Sequence, residues 1–211
     1  MTRLEILREI RAAMSDPDRI GDVPALKSEL GGTRARPEIE AKMADVRGYH
    51  PRLDLDALAA QPAGTFGHEY ARFLQVNGLS PIVMTGNLDP EMVARNAFVV
   101  RYGIIHDMVH VLTGFDTSWP GEIGVWSFIG AQGYSTAFRI TGVVALLAAL
   151  VRCPLRLGDA WRAFQRGREL AVSAPLLLTM RLEEQLHREL DAVRAEMNLS
   201  DAGNGYLPAI A

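Results

Sequence analysis

The stretch from Tyr102 to Phe128 constrains the fold more than any other part of the chain, because it combines potential metal ligands with helical spacing. His106 and His110 lie four residues apart, which places both side chains on one face of a helix. Asp107 is rotated by only about 60° from His110 on such a helix. Glu122 follows His110 after eleven intervening residues. The pattern H-D-x-x-H-x(11)-E therefore predicts a helix that presents a ligand set.

A turn between the two halves of this pattern predicts an antiparallel helix pair. Gly114 has the position and residue type of a left-handed helix cap. Residues 115–121 contain Asp, Thr, Ser, Pro and Gly, which favour a loop. Glu122 then opens the next helix and returns toward the histidines. Two imidazoles and two carboxylates suit a divalent metal, namely zinc, iron or manganese, and no cysteine accompanies them.

The spacing by itself also fits a structure without a metal. The protease pattern H-E-x-x-H does not match, because residue 107 is Asp. A pair of core histidines beside a surface acid would give the same sequence pattern. A glutamate at a helix N-terminus is favoured by the helix dipole whatever its function. At this point both interpretations stay open.

Composition excludes several classes of protein. The net charge of −3 over 211 residues gives no indication of nucleic-acid binding. The single cysteine, Cys153, excludes an intramolecular disulfide and favours a reducing compartment. The first ten residues are too charged for a signal peptide and contain acids that a transit peptide avoids. We expect a bacterial cytoplasmic protein, with peripheral contact at the inner membrane as an option and no transmembrane helix.

The chain has helical patterns and no alternating strand pattern, so we predict an all-α, single-domain helical bundle whose long central helix pair carries the metal site. Thr65 and Asp89-Pro90 have the residue types of helix starts. A stripe of Leu4, Leu7, Ile10 and Met14 predicts an N-terminal helix packed on the body. The predicted helices include Phe66–Val76, Glu91 to His110 with a bend at Gly103, Glu122 to Val151, Ala160 to Ala171 and Met180 to Met197.

The second helix of the central pair raises the question of a lipid site. The run Ile140 to Val151 is too short to span a membrane, and we interpret it as a buried core helix, although the flanking arginines also allow a membrane surface. Glycines inside a helix cost about 1 kcal/mol each relative to Ala, so close packing or room for a ligand must offset them. A groove for a prenyl chain is the ligand alternative, and ordinary core packing is the other. The candidate groove residues are Trp126, Ile129, Gly130, Gly133 and Phe138, with Phe128 beside them.

The chain resembles a family of coenzyme Q (ubiquinone) biosynthesis proteins, the fourth in that pathway's series, whose signature is H-D-x-x-H-x(11)-E. His106, Asp107, His110 and Glu122 match it without a gap. Four further stretches, which precede the motif or overlap its start, occur in the family's order. They are RPEI (36–39), AQPAGTFGHEYARFL (60–74), SPI (80–82) and RYGIIHD (101–107). The last helices, from GREL at 167 onward, are also similar. The resemblance covers residues 36–200, and it leaves 1–35 as a variable N-terminal segment and 201–211 as a tail.

The resemblance implies a function that the spacing alone does not. The four motif residues would be the metal set and the catalytic centre. The family is associated with oxidative decarboxylation at ring carbon one of a polyprenylated benzoate-derived quinone precursor. It is also viewed as a scaffold that binds isoprenoid lipid and other quinone-biosynthesis proteins, forms homodimers and contacts membranes peripherally.

Three hypotheses follow. The first is a metal-dependent decarboxylase or hydroxylase, and the second is a non-catalytic lipid-binding scaffold. The third is a metal hydrolase of the His-Asp helical kind, which would need further ligands from His50, His68 or His187. Arg101, next to the motif, either clamps an anionic ligand or pairs with a neighbouring acid.

Overall fold

A computed structural model describes residues 1–200, and it shows a bundle of α-helices connected by loops and short 3₁₀ turns. Within that range no β-strand forms, and the sole β-type pairing is an isolated bridge between Thr65 and Glu189. The predicted all-α class is confirmed. The predicted tail, 201–211, lies outside the described residues.

The helices differ widely in length, and the longest form the middle of the chain. In chain order they are α1 (Arg3–Met14), α2 (Val23–Gly31), α3 (Pro37–Glu40), α4 (Leu55–Ala59), α5 (Phe66–Val76), α6 (Pro90–Arg95), α7 (Ala97–Thr113), α8 (Trp119–Ala131), α9 (Thr136–Arg152), α10 (Leu157–Ser173) and α11 (Leu190–Glu196). The 3₁₀ turns are Pro17–Asp22, Ala41–Met43, Pro154–Arg156, Leu177–Thr179 and Leu182–Gln185. In the part of the chain that the structure describes, no helix is long and apolar enough to cross a lipid bilayer.

Several helix ends are dictated by local sequence and were predicted. Thr65 accepts a hydrogen bond from the backbone N–H of His68 and starts α5. Asp89 accepts one from Glu91 at the start of α6, where Pro90 occupies the first helical position. Gly114 ends α7 with a φ of 75°, the left-handed conformation that favours glycine.

The centre of the fold is α7, which is buried on most of its circumference within the main apolar core. Its partner α8 packs closely against α9 and α10. The approach of α10 is close enough that a Cβ atom on Gly167 would lie 2.2 Å from the carbonyl oxygen of Gly124. This backbone contact fixes α8, and with it Glu122, against α10.

Two predicted helices are interrupted. The helix expected from Glu91 to His110 breaks at Asn96, whose buried side chain donates hydrogen bonds to the Met92 carbonyl and to Glu29. Such side-chain bonds compete with the regular helix pattern. Gly103, the predicted bend, lies within the continuous α7 and packs against Pro24.

The helix expected from Glu122 to Val151 is in fact two helices, α8 and α9. Gly133 between them has a φ of 71°, which no regular helix contains. Ser135 then caps α9 by accepting a hydrogen bond from Phe138.

The helix expected from Met180 to Met197 is also wrong over its first half, which is a 3₁₀ turn followed by a turn and a bend before α11. The reason is long-range, because the carbonyls of Leu186 and Arg188 accept hydrogen bonds from Gly67 and Phe66 at the start of α5. The apolar stripe of that prediction is nevertheless buried, and it comprises Leu182, Leu186, Leu190, Val193 and Met197.

The predicted packing face of α1 is wrong for three of its four residues. Leu4, Leu7 and Met14 are exposed, and only Ile10 is half-buried against the core. Ile6 and Ala13 are buried instead, in a helix that packs on α2. The burial pattern therefore follows a different stripe of the same helix.

The run Ile140 to Val151 is not the buried core helix that we predicted. The residues of α9 that are buried are small, namely Gly142, Ala145 and Ala149. Phe138 and Leu146 are half-buried, and its other large apolar side chains point outward, so that Leu147 and Val151 are 62% and 87% exposed. Small residues allow α9 to approach α8 closely, since a Cβ atom on Gly142 would lie 3.0 Å from the Cα of Ser127.

Candidate metal centre

Three of the four motif residues converge where α7 meets the start of α8. One potential ligand atom from each of His106, His110 and Glu122 lies within 4.8 Å of the others. The Glu122 carboxylate oxygens are 3.6 Å from Nε2 of His106 and 3.4 Å from Nε2 of His110. Among residues 1–200 this is the one group of His, Cys, Asp and Glu side chains with such an arrangement.

His110 is completely buried and its orientation is fixed from two sides. Its Nδ1 lies 3.1 Å from the carbonyl oxygen of Phe115, and its ring stacks on Phe73 with centroids 5.5 Å apart. Because a carbonyl oxygen only accepts, Nδ1 carries the hydrogen in this contact. The Nε2 atom is buried and has no hydrogen-bond partner. It faces Glu122 Oε1 at 3.4 Å and is placed to act as a ligand atom.

His106 is oriented by Asp107, whose Oδ1 lies 3.2 Å from its Nδ1. Burial by itself lowers the pKa of His106, but the contacts with Asp107 and Glu122 outweigh burial and raise it to about 9. We predicted Asp107 as a fourth ligand. The structure places its carboxylate on the far ring nitrogen of His106, and it is not one of the three converging donors.

Glu122 stands in the first turn of α8, and the loop before it is tightly built. Ser118 caps α8 by accepting a hydrogen bond from Gly121, and Asp116 accepts hydrogen bonds from both the hydroxyl and the backbone N–H of Ser118. Burial raises the pKa of Glu122, but the imidazoles of His106 and His110, whose Nε2 atoms face its oxygens at 3.6 and 3.4 Å, lower it to about 2. The carboxylate is therefore ionised across the physiological range.

The predicted groove for a prenyl chain is only partly formed. Trp126, Ile129 and Phe138 line one small cavity of about 50 Å³ with Tyr102 and Thr141. Gly130 and Gly133 are not among its lining residues. A Cβ atom on Gly130 would lie 2.6 Å from the Phe138 carbonyl oxygen, so this glycine serves the close packing of α8 against α9.

A larger open cavity, which we call the α2–α7 groove, reaches the candidate centre from the other side and was not predicted. It has a volume of about 360 Å³ and an apolar lining. Its residues are Pro24, Lys27, Ser28, Thr33, Ile82, Val99, Tyr102, Gly103, His106 and Phe138. Four of them belong to the N-terminal segment 1–35, which the motif comparison had left aside as variable. The run of small and apolar residues in α2 gave no signal of this role.

Arg101 is not part of the centre. Its guanidinium is 2% exposed and forms a paired contact with the equally buried Glu183, at 2.5 and 2.9 Å. It also donates to the carbonyl of Met180. Of the two interpretations of Arg101, the structure confirms the pairing with an acid. The remaining histidines do not extend the centre either, and Nδ1 of His68 contacts the carbonyl of Ala59.

Comparison with known proteins gives a consistent result. The family model described as "Coenzyme Q (ubiquinone) biosynthesis protein Coq4" matches residues 33–203. The mitochondrial ubiquinone biosynthesis protein COQ4 homolog of Homo sapiens is 34% identical over 203 residues, which cover 85% of this chain and 71% of the human protein. The homolog of Mus musculus is 33% identical over 70% of this chain, and the match spans only 55% of the mouse protein.

A solved structure shows the same fold. It is a crystal structure of a protein of Nostoc punctiforme PCC 73102 whose name assigns it to ubiquinone biosynthesis. The two chains superpose with a TM-score of 0.66, at 21% sequence identity, over 93% of this chain and 96% of the other. The likeness covers nearly the whole of both chains, so the helical arrangement around the candidate centre is a shared one.

Proposed function

Because the chain belongs to the Coq4 family of coenzyme Q (ubiquinone) biosynthesis proteins, we propose that His106, His110 and Glu122 bind one divalent metal ion and that the protein acts on a polyprenylated, benzoate-derived precursor of ubiquinone. The reaction we propose is oxidative decarboxylation at ring carbon one. The bond from the ring to the carboxyl group breaks and carbon dioxide leaves, a hydroxyl whose oxygen comes from water takes its place, and the two electrons that the substrate loses reduce dioxygen to hydrogen peroxide.

The observation that carries this proposal is the unpartnered Nε2 of His110. A buried polar atom without a partner costs about 1–3 kcal/mol, so native proteins rarely keep one without a reason. Here it faces Glu122 and His106, whose ligand atoms lie within 4.8 Å. The residues present therefore fit a metal ion.

The donor set also favours iron as the bound ion. Two histidines and one carboxylate form the ligand set of many non-haem iron sites, which leave coordination positions open. A metal ion bound there would supply Lewis-acid and redox chemistry. The carboxyl group of the substrate would lie at the centre formed by His106, His110 and Glu122, and the largely apolar α2–α7 groove would bind its ring and prenyl tail.

The test is a metal and activity measurement on four proteins, namely wild type, His110→Ala, Glu122→Ala and the control His187→Ala. His187 is exposed and lies outside the centre. We expect about one metal per chain in wild type and control, and none in the two site variants. Only wild type and His187→Ala should release labelled carbon dioxide from a carboxyl-labelled, geranyl-substituted 4-hydroxybenzoate. Equal metal content in all four proteins would contradict the proposal.

A second candidate function is a scaffold that binds at a lipid surface, and the outward face of α9 favours it. At 100° per residue, its exposed apolar side chains span about 120° of the helix. Arg139 lies about 20° beyond one edge of this stripe, and Arg152 lies about 80° beyond the other, over the ring of Trp119. The stripe consists of Ile140, Val143, Val144, Leu147, Leu150 and Val151.

The charge around the stripe favours an anionic membrane surface as the partner. Residues 132–158 contain three arginines and no acid. Basic residues that flank an apolar helical face are typical of helices that lie at a lipid interface. Leu155, just past the end of α9, is 98% exposed and extends the apolar surface.

This second candidate is tested by co-sedimentation with vesicles of phosphatidylcholine, with and without phosphatidylglycerol. We expect wild type to sediment with the anionic vesicles and the double variant Leu147→Ser/Val151→Ser to stay in solution. The matched control is Val76→Ser, an exposed valine on α5. If the double variant instead converts a dimer to a monomer with no change in sedimentation, the stripe binds a second copy of the chain, and the membrane proposal is wrong.

A further inference from the structure

Tyr102 lies one helical turn before His106 and borders the same open space. Its ring packs edge-on against His106, with centroids 5.5 Å apart, and against Phe138 at 4.9 Å. Both Tyr102 and His106 line the α2–α7 groove, and Tyr102 also lines the small cavity that contains Trp126 and Ile129. Tyr102 therefore borders both the groove and the small cavity.

The hydroxyl of Tyr102 has no hydrogen-bond partner within residues 1–200, although it is buried. The Trp126 indole lies near it without forming a bond of hydrogen-bonding geometry. Tyr134, a completely buried tyrosine that packs against Phe98, is different. Its hydroxyl donates to the side chain of Gln132 and accepts from the backbone N–H of Leu178. A buried hydroxyl normally has such partners, so the one on Tyr102 requires an explanation.

We propose that the Tyr102 hydroxyl donates a hydrogen bond to the phenolic oxygen of the aromatic ring in the bound substrate. This inference rests on the proposed function, because it presupposes an aromatic substrate in the α2–α7 groove. It assigns to Tyr102 the role of a substrate-binding residue that orients the ring relative to the three ligand side chains.

The surroundings of the hydroxyl favour a neutral oxygen over a carboxylate. The side chains that share its cavity are Trp126, Ile129, Phe138 and Thr141, which contribute no cation. A carboxylate without a positive partner is costly in such an environment, whereas a phenolic oxygen needs only one donor. The cavity of about 50 Å³ has room for one small polar group, since a water molecule occupies about 30 Å³ in the liquid. The carboxyl group of the substrate is accounted for by the metal centre in the proposed function.

The test combines two proteins with two probes, so that the single contact is measured. Wild type and Tyr102→Phe, both loaded with the metal, are titrated calorimetrically with 4-hydroxy-3-geranylbenzoate and with 3-geranylbenzoate, which lacks the phenolic oxygen. We expect Tyr102→Phe to bind the first probe about 3- to 10-fold more weakly, as loss of one net hydrogen bond implies, and the second probe as wild type does. Tyr134→Phe is the matched control and should bind both probes like wild type.

Thermal melting supplies an independent readout. Because the Tyr102 hydroxyl has no partner in the free protein, Tyr102→Phe should melt at the same temperature as wild type or higher, whereas Tyr134→Phe should melt about 2–6 °C lower. A comparable drop in Tyr102→Phe would show that a bound water satisfies the hydroxyl and would overturn the inference. Equal affinity of wild type and Tyr102→Phe for the first probe would also overturn it.

The role of Tyr102 and the proposed substrate class would be contradicted by different results. If wild type binds the first probe and His106→Ala does not, but Tyr102→Phe is unaffected, only the role of Tyr102 is wrong. If metal-loaded wild type does not bind the first probe at all, the proposed substrate class is wrong and the inference is overturned with it.

Discussion

The Nδ1 atom of His110 donates to the carbonyl oxygen of Phe115, five residues further along the chain and beyond the end of its own helix. The bond fixes both the tautomer and the ring orientation of a completely buried imidazole. The Phe115 carbonyl is presented there because Gly114 turns the chain with a left-handed conformation. A helix cap thus orients a candidate ligand.

Substitution of Gly114 by Ala should therefore affect both the stability and the centre. An L-residue in the left-handed region costs about 1–2 kcal/mol, and relaxation of the turn would shift the Phe115 carbonyl away from His110. We expect the free energy of unfolding to fall by that amount in urea denaturation, and metal affinity to fall in parallel. Unchanged metal affinity in a destabilised Gly114→Ala protein would show that the turn does not position His110.

Asp107→Ala should weaken metal binding without abolishing it. Because the carboxylate lies on Nδ1 of His106 and not among the converging donors, its loss should free the ring to rotate. Removal of such an outer partner usually costs about 10–100-fold in affinity. Calorimetric titration should still give one metal per chain. Complete loss of metal, as expected for Glu122→Ala, would instead identify Asp107 as a direct ligand.

The metal-free protein should lose stability as the pH rises above neutrality. Burial lowers the pKa of His106, but Asp107 and Glu122 raise it to about 9, above its ordinary value of 6.5. A group with a raised pKa contributes stability that is complete below about pH 6.5 and is lost as the pH rises through 9. We expect a loss of about 1–3 kcal/mol over that interval in chelator-treated protein. The unfolding free energy of His106→Gln should change less over the same pH interval.

At low pH the dependence has the opposite sign, and stability falls as the pH falls. Burial raises the pKa of Glu122, but the two histidines lower it to about 2, so its contribution is present above about pH 4.5 and is lost as the pH falls toward 2. The pKa shifts of His106 and Glu122 arise from the same contact, so their contributions to the free energy of unfolding cannot be added. Metal binding itself should release about one proton from His106 at pH 7.5, which titrations in buffers of different ionisation enthalpy would measure.

Gly167→Ala should damage the centre from a distance. The new Cβ atom would lie 2.2 Å from the Gly124 carbonyl oxygen, so α10 and α8 would have to separate. We expect a loss of about 1–3 kcal/mol in unfolding free energy and weaker metal binding, because α8 carries Glu122. Gly158→Ala, at the start of the same helix, meets only the end of the Arg162 side chain at 3.6 Å and serves as control. Equal effects of the two substitutions would contradict this account.

Glu183→Ala should be strongly destabilising, by about 3–5 kcal/mol, because it leaves the guanidinium of Arg101 buried without its partner. The double variant Arg101→Met/Glu183→Leu should recover most of the loss and keep its metal, since the pair is structural. Arg162→Ala, which breaks an exposed pair with Asp159, should change stability little. Loss of metal from a stable double variant would assign Arg101 a role in the centre after all.

What could be predicted from the sequence was the part that depends on neighbouring residues. The caps at Thr65, Asp89 and Gly114 each act within three or four positions, and the i, i+4 spacing placed His106 above His110. The approach of Glu122 was predicted in the same way, since a single turn separates the two helices.

What could not be predicted depends on residues that are distant in the sequence. Arg101 pairs with Glu183 across 82 positions, and Asn96 ends α6 partly through a bond to Glu29. The periodicity of α9 showed one apolar helix but not which side faces the core, because its small residues are also apolar. The α2–α7 groove was missed since its walls come from segments that are unremarkable in isolation.

The outward face of α9 also has a consequence for how the protein behaves at the bench. A folded molecule that displays such a strip should associate with itself as its concentration rises, while circular dichroism still reports an intact fold. Precipitation while the sample is being concentrated would then result from association of folded molecules. A mild detergent below its critical micelle concentration should reverse it. Substituting the strip, and not strengthening the core, is the way to obtain a monodisperse sample.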